Sequence, residues 1–108
     1  MTDNEVNKII AEYIGDPIEV EIDGTTKIMD DMGYMEKDLY TKSLDALVPV
    51  WEKLKKDFTM DRDEWGIHMA FYKGTDVIVK EQNVGSIQQT MAHATAKAII
   101  NMEEENDG

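Results

Sequence analysis

Apolar residues recur along this chain at two spacings, and the switches between them outline its elements. Val6, Ile9, Ile10, Tyr13 and Ile14 fall at helical spacing, behind Thr2 or Asp3 as a cap and ahead of Gly15 as a stop. Asp16-Pro17 breaks the run. Ile18, Val20 and Ile22 then alternate with Glu19, Glu21 and Asp23, which predicts a strand with one wet face. Asp23-Gly24 signals a turn into a return strand from Thr25 to Met29. From Asp30 to Leu39 the periodicity is lost, so a loop is expected. A second helix is predicted from Leu44 to Phe58, with Ser43 as N-cap and Leu44, Leu47, Val48, Trp51, Leu54 and Phe58 as its stripe. Pro49 falls six residues past that cap, where the missing N–H and the ring should kink or unwind the helix. It reads either as a bend that fits the helix to a twisted sheet or as a small polar notch at the carbonyl near Asp45.

Residues 59–64 are polar and end that helix. Trp65, Ile67, Met69 and Phe71 alternate with Gly66, His68, Ala70 and Tyr72, so this strand is expected to have neither face open to water. Gly74-Thr75-Asp76 turns the chain into Val77-Ile78-Val79, and Ser86 caps a last helix. Ile87, Met91, Ala94, Thr95, Ala98, Ile99 and Met102 form its apolar face, with His93 placed on the surface and a frayed acidic tail from about residue 103. The order α-β-β-α-β-β-α predicts an α/β class of α+β type, in one domain over residues 1–108. The expected architecture is an α/β/α sandwich, a small antiparallel sheet between helices, with a one-sided arrangement as its rival.

Composition narrows the function more than it names it. A hydrophobic content of 42% is enough for a core, and the absence of cysteine excludes disulfides and thiolate metal sites. No apolar run approaches membrane-spanning length, and the acidic N-terminus lacks the layout of a signal peptide, so a cytosolic protein is expected. The net charge of −12 is concentrated. Residues 1–40 hold eleven acids against Lys8, Lys27 and Lys37, and the C-terminal run adds Glu103, Glu104, Glu105 and Asp107. That balance opposes direct nucleic-acid binding and favours a basic protein partner, or a partner groove that normally grips nucleic acid. Solubility is the plainer account of the same acidity.

Tyr40, Ser43, Leu44, Asp45, Leu47, Pro49, Val50, Glu52, Lys53 and Leu54, followed by an Ala-rich last helix with Ala92, Ala94, Ala96, Ala98 and Ile99, resemble the phage ABA sandwich domain family. The likeness covers roughly residues 40–102. It implies a bacteriophage or prophage setting and the sandwich fold; the family brings no general activity and no catalytic residues.

Candidate chemistry is sparse. Asp61-Arg62-Asp63-Glu64, and Asp30-Asp31 with Glu36 or Asp38, suggest hard-cation sites but lack the spaced ligands and glycine of a calcium loop. Ser43 and Ser86 read as caps, and the glycines as isolated punctuation. No cofactor and no catalytic residue is implied, and an enzyme is the least supported class. The eight methionines could supply an adaptable surface, chiefly Met29, Met32, Met35, Met60 and Met69. The leading expectation is an accessory protein that binds a host or anti-phage-defence protein through Asp30, Asp31, Met32, Tyr34, Met35, Glu36 and Asp38, as a nucleic-acid mimic if that partner handles nucleic acid. The alternatives are a nucleotide-signal binder using Trp65, His68, Tyr72 and Lys97, or a virion or assembly component. Apolar edge strands leave a homodimer open, although Glu19, Glu21 and Lys80 work against strand pairing.

Overall fold

The computed structural model describes residues 1–29, 32, 35–62, 68–82 and 85–107, and the side chains of residues 62, 68, 82 and 105–107 fall outside that description. Helix α1 spans Asp3–Ile14, opened by Thr2, whose hydroxyl accepts the Glu5 N–H. Gly15 closes it in the left-handed conformation (φ 89°), a backbone geometry that disfavours a side chain, with its N–H on the Ala11 carbonyl. Strands β1 (Ile18–Val20), β2 (Thr26–Met29) and β3 (Glu36–Lys37) form an antiparallel sheet in chain order. Helix α2 spans Leu44–Leu54, with the Ser43 hydroxyl accepting from the Ala46 N–H. Strands β4 (Thr59–Arg62), β5 (His68–Lys73) and β6 (Asp76–Gln82) make a second antiparallel sheet, and α3 runs Ile87–Asp107.

The α/β class and the antiparallel pairing match the sequence pattern, while the layering differs. The described residues form two three-stranded sheets, with α1 and α3 between them. The first sheet rests on α1, α1 packs on α3, and α3 lies against β5 and β6. Both faces of β5 are buried at its centre, as the sequence predicts. Met60, Phe71 and Val79 align on the inner face, where Phe71 meets Phe58 edge-on at 5.8 Å. On the outer face Ala70 is flanked across the ladders by exposed Asp61 and Lys80. The expected α/β/α sandwich, one sheet between helices, is replaced among the described residues by helices between two sheets.

Being central, α3 is buried almost all round from Thr90 to Ala96, and small residues let its neighbours approach. That position corrects the surface placement of His93, which is 7% exposed, and of Ile87 on the buried face, which is 42% exposed. Helix α3 extends through the acidic run to Asp107. Two further differences come from polar sequence. Residues 59–62 form the edge strand β4, whose Met60 is the inward position, and 36–37 add a short strand where a loop was expected. Pro49 does not end α2, because the remaining turns are held by buried Leu47, Val50, Trp51 and Leu54.

Candidate functional site

The first sheet covers α1 with one face only. Thr26 and Ile28 of β2 are buried there, while their register partners Val20 and Ile18 lie on β1 at the sheet edge. Val20 is 55% exposed and Ile22 fully exposed, because α1 does not reach under β1. On the other face, Glu19 pairs with Lys27 and Met29 with Glu36. The Lys27 ammonium meets Glu21 at 2.7 Å, and that bond, with the charges of Glu21, Glu36 and Glu19, holds its pKa above the ordinary lysine value. Val20, Ile22, Met32 and Met35 are exposed in the same N-terminal segment as exposed Glu19, Glu36 and Asp38.

Of the sequence-predicted partner surface, Met32, Met35, Glu36 and Asp38 are exposed, while Asp30, Asp31 and Tyr34 lie outside the described residues. Trp65 also lies outside them, and His68 is described only as the backbone that opens β5 opposite Gln82. Tyr72 is half-buried on the outer face of the second sheet. Lys97 of α3 forms an ion pair with Glu81, whose register with Met69 puts it on the inner face. The sheet therefore separates Tyr72 from Lys97. Among the methionines, Met69 is core and Met60 half-buried beside Trp51. Among the described residues no group of three or more His, Cys, Asp or Glu could hold a metal ion.

Two polar constellations escaped the sequence reading. His93 donates its Nε2–H to the Asp3 carboxylate at 2.9 Å, since an ionised carboxylate can only accept, and Gln89 donates to the other Asp3 oxygen at 2.8 Å. The His93 bond, outweighing partial desolvation, holds the Asp3 carboxyl below the ordinary carboxylate range. The second constellation is centred on Asp16, whose side chain is 7% exposed. Its Oδ2 accepts from the Tyr40 phenol and from the Lys37 ammonium at 3.1 Å. Beside it lies a cavity of about 340 Å³ walled by Ile14, Ala46, Pro49 and Val50. Asp16-Pro17 had been legible as a chain break, and nothing local could have paired residue 16 with residue 40.

Among the described residues no helix is long and apolar enough to cross a membrane. Comparison with protein-family models, with curated proteins and with solved structures finds no match to this chain. What the described residues define is a mixed α/β protein whose N-terminal sheet exposes Glu19 and Glu36 on the face turned from α1.

Proposed function

We propose that this chain acts by binding a basic protein surface through its first sheet, as a small acidic accessory protein of phage type. The observation that carries the reading is a first sheet with exposed Glu19 and Glu36 on the face turned from α1, exposed Val20 at its edge, and exposed Ile22, Met32, Met35 and Asp38 in the same N-terminal segment. Isolated exposed apolar residues are ordinary; several in one segment with exposed carboxylates offer apolar contact area together with charge that steers a cationic partner. A host or defence protein whose groove normally holds nucleic acid fits that charge, and the resemblance of residues 40–102 to the phage ABA sandwich family supplies the setting. The nucleotide-binding alternative needs Tyr72 and Lys97 in one site, and the second sheet stands between them.

The test is affinity capture with tagged protein from host lysate, eluted by a salt gradient. A single basic partner is expected, released at lower salt from a Glu19→Gln, Glu21→Gln, Glu36→Gln, Asp38→Asn variant and lost from Ile22→Lys. A partner retained equally by both variants removes the sheet from the interface.

A further inference from the structure

We infer that the cavity beside Asp16 is a binding site for an alkylammonium group carried on a methylene stem. This goes beyond the partner reading, because it concerns a recess under α2 and holds whether the ammonium arrives on a protein or free.

The polar end is a carboxylate, not a mixed surface patch. Asp16 is more than nine-tenths buried, and both of its bonds, from Tyr40 and Lys37, go to Oδ2. Oδ1 has no hydrogen-bond partner among the described residues and is not sealed from solvent. A desolvated carboxylate with a reachable oxygen selects a cationic donor. Asp16 Oδ1 can take one donor of a primary ammonium, and water at the cavity mouth the others.

The remaining walls, Ile14, Ala46, Pro49 and Val50, are aliphatic and suit a short methylene chain. About 340 Å³ is at the lower end for a ligand pocket and far beyond one water. The chain itself shows the preferred chemistry: Lys37, an alkylammonium on a two-residue edge strand, already reaches into the site with its side chain 40% exposed. An incoming ammonium displaces it into solvent beside Glu36 and Asp38. Lys53 is not free to compete, since its ammonium is bound to the Tyr13 carbonyl at 2.7 Å and sits 4.2 Å from that ring's centre.

The experiment is an NMR titration of the full chain with n-butylammonium, with n-butanol as the uncharged isostere, and with spermidine and Nα-acetyl-lysine amide as the two natural forms of the group. Saturable shifts at Asp16, Tyr40 and Ala46 are expected below about 10 mM with the amine and not the alcohol. Lys37→Ala should tighten binding about fivefold by removing the internal competitor. Asp16→Asn should abolish it. Ala46→Leu, which fills the cavity and leaves the Asp16 bonds in place, should abolish it too and guards against a folding defect in the first variant. Preference for the lysine amide assigns the site to a partner's side chain, and preference for spermidine to a free polyamine. No saturable response, equal response to butanol, or undiminished binding by Ala46→Leu overturns the site.

Discussion

The Trp51 indole N–H donates to the Thr95 hydroxyl at 2.9 Å, and Thr95 passes its own proton to the Met91 carbonyl at 2.7 Å. Because Thr95 is committed as a donor along α3, its oxygen is left to accept, which fixes the indole and with it the angle between α2 and α3. Thr95→Val keeps the shape but takes this acceptor away from the buried indole N–H. The expected cost is about 1–3 kcal/mol in denaturant unfolding, and Trp51→Phe in the same background should recover part of it.

Thr26 presents the opposite case. Its hydroxyl is buried against α1 with no partner among the described residues, while its backbone N–H is satisfied by Asn4 at 2.8 Å. Thr26→Val should therefore stabilise the chain by about 1 kcal/mol, seen as a higher urea midpoint with an unchanged slope.

Pro49 costs α2 a backbone hydrogen bond at an exposed position. Pro49→Ala should raise stability by about 1–3 kcal/mol, the helix-propensity gain less the entropy that proline removes from the unfolded chain.

Asp3 sets an acid limit. Its folded-state carboxyl is depressed, chiefly by the His93 bond, so its contribution to stability is complete above the unfolded carboxylate range and fades as pH falls through the lower folded value. The Tm of the wild type should fall below about pH 4 more steeply than that of Asp3→Asn, and the two curves should converge in acid. Parallel curves would show that Asp3 is not the titrating group.

The sequence made the local structure legible wherever one face of an element was buried. Thr2, Gly15 and Ser43 marked helix ends, and the β1–β2 and β5–β6 hairpins followed from alternation and turn residues. It failed where neighbours, not periodicity, decide burial. His93 looked like a surface residue because only the packing of α1 onto α3 covers it, and β4 looked like a polar terminator because an edge strand needs few inward residues. The Asp16 site was illegible for the same reason: its members come from three segments, and each reads locally as a break, a loop lysine or a helix prelude.

The Asp3–His93 pair closes across ninety residues of sequence, and Gln89 joins it across eighty-six. At about 5–20 residues per second, a ribosome needs on the order of ten seconds to travel between those two codons. Throughout that interval α1 has no α3 to lie on, and only the first sheet and α2 can cover Val6, Ile10 and Ala11. The first helix synthesised is thus completed only by the last.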